Sequence, residues 1–447
     1  MKKYLSIILI TLLCLNIFVG CSRKEDNKQI DNENNSSKDT LDNNETNLKD
    51  ITLTFASWGV SEDSTKDIFE TMAAEYKKIN PHVTIDYISI PFGDIKKQTF
   101  IMSASNDAPD IIQTHTAWFS TYAASDIVVP LDDLLGKAYV DDLITSLRDD
   151  YTYRGQLMGV PWAPSPYILY WNKELFEQAG LDPETPPKTY DDMIAYAKKI
   201  AKLKTDNGDK IYGFGEAADK LPINGLVALR NLYSFGGSIY DKDGNVNINT
   251  PEVKAMFTFY KKLANDDLTP TSAKLKDLRN LFSIGRLGMY MDGYYGKAVY
   301  RNLSGKGEAF DKVWGAALVP HNATGESVSI GEAHGLVISK DCKNPDVAAD
   351  FIKFITDKEM ITKYHQSNDV LSARKSFASD PDLNDNEIAK ILVDQLNNHS
   401  HALPPNNKGM EQGFLEIAGA LQKVMLVDTN VDDVIEELNN KLKGLLE

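Results

Sequence analysis

The segment from residue 51 to residue 88 limits the fold more than any other part of the chain. Apolar residues alternate over 51–55, recur at helical spacing over 68–76, and alternate again over 83–88. Asn80-Pro81 stands where the helix would end. A strand, a helix and a strand within about 40 residues form a βαβ unit, which predicts a parallel, doubly wound α/β sheet.

The alternation of strands and helices continues past Trp162. Thr189, Thr250 and Asn344 each stand where a helix would begin, and the last two directly precede a proline. No internal repeat of about 20 to 50 residues is visible in the sequence. A chain of 447 residues with this pattern predicts two lobes.

The first 21 residues predict export from the cell. Lys2 and Lys3 precede an apolar run over residues 5–15, as in a secretory signal, and the run is shorter than the ~20 residues that cross a membrane. Phe18-Val19-Gly20-Cys21 is similar to the bacterial lipobox. We therefore expect residues 1–20 to be removed and Cys21 to be acylated, with a plain secreted protein as the alternative.

The residues after Cys21 predict a tether. Residues 22–49 are almost wholly polar and cannot bury a core, so 21–49 is expected to be a lipid-bearing flexible linker with a reach near ~30 Å. Of the three cysteines, only Cys342 falls in the folded part, which excludes an intrachain disulfide there. The predicted location is the outer face of the cell membrane.

Charge and missing motifs exclude several functions. The net charge of −16 argues against a nucleic-acid partner. No Gly-x-Ser-x-Gly, His-Glu-x-x-His or Cys-x-x-Cys occurs, and the seven histidines lack ligand spacing, so neither a metal nor a cofactor is predicted. Residues 213–218 fit the spacing of a dinucleotide fingerprint, but they lie in mid-chain without a long opening strand, and an exported protein has little supply of such a cofactor.

Four segments together resemble the extracellular solute-binding proteins of ATP-driven sugar importers, the group that includes the maltose-binding proteins. The similarity spans residues 51 to 440, and it rests on the order and spacing of the four segments rather than on any one of them. The segments are Asn106-Asp-Ala-Pro-Asp110-Ile-Ile; Gly159-Val-Pro161-Trp162 with Tyr170-Trp-Asn172-Lys-Glu-Leu-Phe176; Gly315-Ala-Ala-Leu-Val-Pro320; and Gly331-Glu-Ala-His334-Gly-Leu-Val-Ile-Ser339-Lys.

The resemblance implies a two-lobed α/β fold of the type II periplasmic-binding-protein kind, with a hinge of crossing strands and the ligand in the interlobe cleft. The first lobe would comprise 50–161 plus 320–369, and the second 162–319 plus 370–447. It also implies a monomer without enzymatic activity that closes around its ligand by hinge motion and delivers it to the permease subunits of an ABC importer.

A sugar presents apolar C–H faces and hydroxyl groups, so its site needs flat aromatic surfaces and a few fixed polar groups. Trp58, Trp162 and Tyr294-Tyr295 match positions where relatives place cleft aromatics. For Trp118 and Tyr167, ordinary packing is an equal alternative, and we expect Trp171 and Trp314 to lie in the core.

The polar candidates each have a structural alternative. Asp110 would accept hydroxyl hydrogen bonds or cap a following helix. Glu332, in a glycine-rich turn, would accept a hydrogen bond from a ligand hydroxyl or be merely exposed. The adjacent His334 is a weaker candidate for ligand contact. Arg374 would close over the cleft or form a surface ion pair.

The sequence thus predicts a membrane-anchored binding protein for a carbohydrate, with a disaccharide or longer glycan favoured by the number of aromatic candidates. One alternative is a secreted glycosidase or polysaccharide lyase, because two carboxylates suffice for that chemistry. Another is a binding protein for a peptide, an opine, a polyamine or an anion.

Overall fold

The computed structural model describes residues 49–321 and 325–447. The part from Lys49 to Glu447 forms one unit. The predicted signal peptide, the acylation site at Cys21 and the linker up to residue 48 lie outside the described residues.

Short strands separated by helices make up the described chain. In chain order the strands are β1 (Ile51–Ser57), β2 (Val83–Ser89), β3 (Ile111–His115), β4 (Thr152–Tyr153), β5 (Gln156–Leu157), β6 (Val160–Pro164), β7 (Ile168–Asn172), β8 (Tyr212–Gly215), β9 (Leu287–Asp292), β10 (Trp314–Ala317), β11 (Ser329–Ile330), β12 (Ala333–Ile338) and β13 (Ser400–His401).

The helices surround the strands. They are α1 (Lys66–Ile79), α2 (Ile95–Ala104), α3 (Thr116–Ala124), α4 (Asp132–Leu135), α5 (Lys137–Asp142), α6 (Thr145–Asp150), α7 (Lys173–Gln178), α8 (Tyr190–Ile200), α9 (Pro222–Ser234), α10 (Pro251–Asn265), α11 (Leu275–Ser283), α12 (Gly296–Leu303), α13 (Pro345–Ile355), α14 (Lys358–Asn368), α15 (Glu387–His399), α16 (Met410–Leu426) and α17 (Val431–Leu446). Short 3₁₀ helices occupy Gly307–Lys312, Lys375–Phe377 and Pro381–Leu383.

A five-stranded sheet forms the core of the first lobe, in the order β2-β1-β3-β12-β6. The predicted βαβ unit is confirmed, since β1 pairs in parallel with β2 and the intervening helix is α1. The predicted parallel pairing holds for β1 with β2 and β3, but not for β12. The strand β12 runs antiparallel to both β3 and β6, because the chain returns from the second lobe and enters this sheet from its opposite end.

A four-stranded sheet in the order β10-β7-β9-β8 forms the core of the second lobe. The chain passes from the first sheet to the second between β6 and β7, and returns between β10 and β12. These crossings give the mixed α/β, two-lobed architecture that the resemblance implied. The expected lobe limit between 161 and 162 falls inside β6, whose whole length lies in the first sheet.

The predicted helix starts agree with the structure. Thr189 accepts a hydrogen bond from the Asp192 N–H in a complete capping box, and Thr250 accepts one from the Val253 N–H. Asn344 precedes α13, but its side chain makes no capping bond.

The glycine pattern that imitates a dinucleotide fingerprint lies in β8. A methyl group on Gly213 would stand 2.1 Å from the carbonyl oxygen of Ala197, in α8. The strand and the helix therefore approach so closely that only glycine fits between them. Helix packing accounts for this glycine.

Candidate functional site

The ends of several central strands meet between the two lobes. On the first lobe, Trp58 follows β1, His115 ends β3, and His334 lies opposite His115 in β12. On the second lobe, β9 ends at Asp292 and is followed by Tyr295, whose hydroxyl lies 2.6 Å from Nε2 of His334. This hydrogen bond joins the lobes and locates a candidate cleft.

Aromatic rings from both lobes meet at this cleft. The Trp58 ring meets Phe92 and His334 edge-on, with centroids 5.1 and 5.0 Å apart. Flat rings with polar edges suit a ligand that has both apolar faces and hydroxyl groups. We call the following residues the aromatic cluster: Trp58, Phe92, His115, Trp118, Tyr295 and His334.

Two ring pairs in the aromatic cluster are stacked. Trp118 lies 5.0 Å from His115 at an interplanar angle of 29°, and Tyr295 lies 5.5 Å from His334 at 28°. The indole nitrogen Nε1 of Trp118 is buried and has no hydrogen-bond partner among the described residues. A donor in that state can serve a bound ligand.

A directed chain of hydrogen bonds holds His334. The Gly59 N–H donates to Oγ of Ser57 at 3.0 Å, and that hydroxyl donates to Oε1 of Gln113 at 2.5 Å. The Gln113 amide must then offer its NH₂ group to Nδ1 of His334, at 3.3 Å. Nε2 of His334 carries the proton and donates to Tyr295. Burial, with a smaller contribution from His115, holds the pKa of His334 well below 6.5, so the ring is neutral at pH 7.

Glu332 places a buried carboxylate at this cleft. Its Oε1 lies 2.7 Å from Nε2 of His115, whose Nδ1 accepts the backbone N–H of Ala117 at 3.0 Å. Because Nδ1 is an acceptor, the proton of His115 sits on Nε2 and is donated to Glu332. Glu332 is 6% exposed, and its Oε2 has no partner within the part of the chain that the structure describes.

Two paired arginines border the cleft on the second lobe. Arg279 makes two hydrogen bonds of 2.7 Å to Asp292. Arg230 is buried and bonds Oε1 of Glu216 at 2.7 Å, and its guanidinium stands 5.4 Å from the centre of the Tyr167 ring. Both guanidinium groups therefore already have a carboxylate partner.

The structure brings seven of the sequence candidates to this cleft. Trp58, Trp118, Tyr295 and His334 belong to the aromatic cluster, and Glu332 bonds its His115. The Tyr294 ring lies 4.1 Å from that of Tyr295. Tyr167 is close enough to Glu332 that burial and this carboxylate together raise the pKa of its hydroxyl. The alternative that Glu332 is exposed is wrong.

In the first sheet, Trp162 of β6 pairs with His334 of β12, which pairs in turn with His115 of β3. The ring of Trp162 nevertheless does not join the aromatic cluster. It is 1% exposed and contacts Phe69 and Tyr364, at 5.7 and 5.5 Å between ring centres. Both partners belong to helices of the first lobe. These contacts favour a packing role over contact with a ligand.

Asp110 and Arg374 lie away from the aromatic cluster. Asp110 precedes β3, at the end opposite His115, and its Oδ2 accepts hydrogen bonds of 2.8 Å from both N–H and Oγ1 of Thr54. Because a strand follows Asp110, the helix-capping alternative is wrong. Arg374 donates to Asp142 at 2.6 Å, which is the ion pair given as its alternative.

Sequence reasoning missed His115, Gln113, Phe92 and Arg279. His115 and Glu332 are separated by 217 positions, so their contact exists only once β3 and β12 are paired. The prediction of a core position is confirmed for Trp171 and Trp314, which are both buried.

Within residues 49–321 and 325–447, no group of three or more His, Cys, Asp or Glu side chains is arranged to hold a metal ion. In the same part of the chain, no helix combines the length and the apolar character needed to span a bilayer.

Residues 62–361 match the family of bacterial extracellular solute-binding proteins. Similar curated proteins include a putative binding protein of Brucella abortus, 26% identical over 408 residues that cover 89% of this chain and 93% of that protein. The sn-glycerol-3-phosphate-binding periplasmic protein UgpB of Escherichia coli is 25% identical over 286 residues, which cover 61% of this chain and 63% of UgpB.

Solved structures share the fold. The GacH receptor of Streptomyces glaucescens, determined unliganded and with acarbose, aligns with a TM-score of 0.77 and 22% identity over 89% of this chain and 99% of its own. Maltose-bound MalE3 of T. maritima aligns with a TM-score of 0.75 and 21% identity, over 89% of this chain and 100% of its own.

Proposed function

Because the chain belongs to the family of bacterial extracellular solute-binding proteins, we propose that it captures a carbohydrate between its lobes and delivers it to an ABC importer. Members of this family bind solutes rather than transform them. The prediction that the chain is not an enzyme is thereby confirmed.

The aromatic cluster beside buried unpaired polar atoms carries the proposal. Its rings offer flat surfaces to sugar C–H faces, while Oε2 of Glu332 and Nε1 of Trp118 offer an acceptor and a donor to hydroxyl groups. The ligands named with the structural neighbours, acarbose and maltose, have this combination of faces and hydroxyls.

The proposed ligand contacts are those candidates that meet at the cleft: Trp58, Trp118, Tyr167, Tyr294, Tyr295 and Glu332. Trp162, Asp110 and Arg374 support the lobes around them instead. Trp58 and Trp118 each pack against Phe92, at 5.1 and 5.0 Å between ring centres, and the presence of two indole rings favours a ligand longer than one sugar ring.

The hinge is proposed to lie at the crossings between the two sheets. The first lobe then comprises about 50–164 with 333–369, and the second 168–319 with 387–447. This moves the expected limits to the end of β6, the start of β12 and the start of α15. Closure would bring Tyr295 to His334, and the permease would recognise the closed form.

Attachment to the outer face of the membrane through an acylated Cys21 completes the proposal. The lipobox-like sequence and the polar linker after it support this anchor. We expect a Cys21→Ser variant to be released into the medium, as measured by immunoblotting of cell and medium fractions. The same amount of membrane-bound protein in variant and wild type would contradict the anchor.

The binding function is tested by a thermal-shift screen of residues 49–447 against mono-, di- and oligosaccharides. Amino acids, polyamines and sn-glycerol 3-phosphate serve as controls. A ligand at ~100 times its Kd adds about 2.7 kcal/mol to the unfolding free energy, which a thermal midpoint reports clearly. We expect stabilisation by a di- or oligosaccharide, recovered intact afterwards by chromatography.

Each alternative gives a different result. Cleavage of the glycan during incubation would support a hydrolase or lyase. Stabilisation by a control compound alone would keep the solute-binding role and reject the carbohydrate.

A further inference from the structure

We infer that Glu332 selects an uncharged, hydroxyl-bearing ligand and excludes its phosphorylated counterpart. The inference rests on the proposed function and names the substrate class of the same site. It starts from the one buried carboxylate oxygen that faces the aromatic cluster without a partner among the described residues.

Glu332 contributes a negative charge that its surroundings leave uncompensated. His115, which donates to Oε1, is a neutral ring because the Ala117 N–H occupies Nδ1. The neighbouring Tyr167 hydroxyl is uncharged as well, since burial and Glu332 raise its pKa. The side chain is 6% exposed, so water screens the charge poorly. The Oε2 atom of Glu332 is available to accept a hydrogen bond from a ligand hydroxyl.

The cations that border the cleft do not offset this charge. Arg279 is bound by both oxygens of Asp292, and Arg230 is bound by Glu216. A phosphate group would therefore meet paired arginines and an unpaired carboxylate.

The relative UgpB is named for binding sn-glycerol 3-phosphate, so a phosphate ester is the anionic ligand to weigh against a neutral sugar. A site for a phosphate needs donors or cations that are free to meet it. Here the carboxylate of Glu332 repels the anion, while a sugar hydroxyl at the same place gains a charge-assisted hydrogen bond.

The test is titration calorimetry on residues 49–447 of the wild type and of Glu332→Gln. The neutral probes are glucose, trehalose and maltose, and the anionic probes are glucose 6-phosphate, trehalose 6-phosphate and sn-glycerol 3-phosphate. Glu70→Gln, which removes one exposed charge from α1, is the matched control.

We expect the wild type to bind a neutral sugar and to reject its phosphate ester. Glu332→Gln should bind the neutral sugar ~10-fold more weakly, because a charged acceptor is replaced by a neutral one, and should bind the anionic probes more tightly than the wild type does. Glu332→Asp keeps the charge but shortens the reach, so it should weaken sugar binding and still exclude phosphate. Glu70→Gln should match the wild type.

A ligand-free measurement separates recognition from a structural role. Glutamine can still accept the His115 hydrogen bond, so the thermal midpoint of unliganded Glu332→Gln should equal or exceed that of the wild type. A clearly lower midpoint would show that the charge stabilises the fold and would overturn the inference.

The remaining outcomes are also decisive. Equal affinity of Glu332→Gln and wild type for a neutral sugar would overturn the inference while leaving the proposed function intact. Failure of every saccharide in the screen to bind the wild type would instead reject the proposed function. The anionic probes then test whether Glu332 excludes phosphate. Binding of sn-glycerol 3-phosphate by the wild type would overturn this exclusion, and binding by Glu332→Gln alone would support it.

Discussion

Single backbone N–H groups set the direction of the hydrogen bonds in the cleft. The Ala117 N–H fixes which nitrogen of His115 carries a proton, and the Gly59 N–H holds the hydroxyl of Ser57. His115 then donates to Glu332, and Ser57 orients Gln113 and through it His334. The donors and acceptors at the cleft are therefore oriented before any ligand arrives, which lowers the cost of ordering them on binding.

The neutral state of His334 predicts a dependence on pH. Its pKa in the folded protein lies well below 6.5, chiefly because burial disfavours the charged ring. The unfolded chain therefore binds a proton first as the pH falls, so the stabilisation is complete above 6.5 and is lost progressively below it. We expect the free energy of unfolding to fall across that range in denaturant titrations at a series of pH values.

A His334→Gln variant isolates this effect, because glutamine keeps a donor and an acceptor but does not titrate in this range. The difference in unfolding free energy between wild type and variant should shrink as the pH drops below 6.5. A constant difference at all pH values would mean that His334 contributes nothing to the pH dependence.

Trp162 provides a second prediction at the scale of one residue. Its ring is 1% exposed between Phe69 and Tyr364, so Trp162→Ala should leave a large cavity and cost about 3–5 kcal/mol of stability. Chemical denaturation measures that loss, and Trp162→Phe should recover part of it. Unchanged stability together with lost sugar binding would instead place the indole against the ligand.

Residue type predicted the candidate site only in part. An isolated tryptophan looks the same in sequence whether its ring meets His334 between the lobes, as for Trp58, or packs against two helices, as for Trp162. Glu332 was found because it stands out in a glycine-rich turn. Its partner His115 was missed because only the pairing of β3 with β12 brings the two together.

At the scale of elements, local signals predicted helices well. Thr189 marks the start of α8, since its capping box is formed by residues three positions apart. Strand direction in the first sheet was predicted less well. The antiparallel placement of β12 depends on a chain that leaves for the second lobe and returns, and no short sequence window contains that information.

Gly213 allows a test of packing between a strand and a helix. A methyl group there would lie 2.1 Å from the carbonyl oxygen of Ala197, which is backbone and cannot move without displacing α8. We expect Gly213→Ala to cost at least about 1–3 kcal/mol of stability, the usual penalty for overpacking, as measured by urea denaturation.

Gly244→Ala is the comparison variant for Gly213→Ala. Gly244 has a φ of +84° and open space around the added methyl group, so its cost comes from backbone conformation alone. Disruption of α8 packing should also increase protease sensitivity in the Gly213→Ala variant alone. If Gly213→Ala were as stable as wild type, close packing would not be the reason for this glycine.

At the scale of the whole molecule, contacts away from the aromatic cluster also join the two lobes, and we expect them to influence the proposed closure. Glu411 in α16 accepts hydrogen bonds from Lys96 and from Thr121, whose Oγ1 lies 2.5 Å away. Helix α16 packs on α9 and α17 of the second lobe, whereas Lys96 and Thr121 belong to α2 and α3 of the first. Glu411 therefore links the lobes without belonging to the aromatic cluster.

Removing that link should weaken binding at a distance from the ligand. The apparent Kd for the sugar rises as the fraction of closed protein falls. A partly exposed ion pair with one further hydrogen bond contributes about 1 kcal/mol to the closed form. We therefore expect Glu411→Ala to weaken sugar binding roughly 5-fold. Glu416→Ala is the matched control, because Glu416 lies on the same helix but pairs with Lys441 inside the second lobe. Calorimetry measures both affinities, and small-angle scattering of the unliganded proteins should show a larger radius of gyration for Glu411→Ala alone. Equal affinities and equal radii for the two variants would mean that closure is governed by the cleft contacts rather than by this pair.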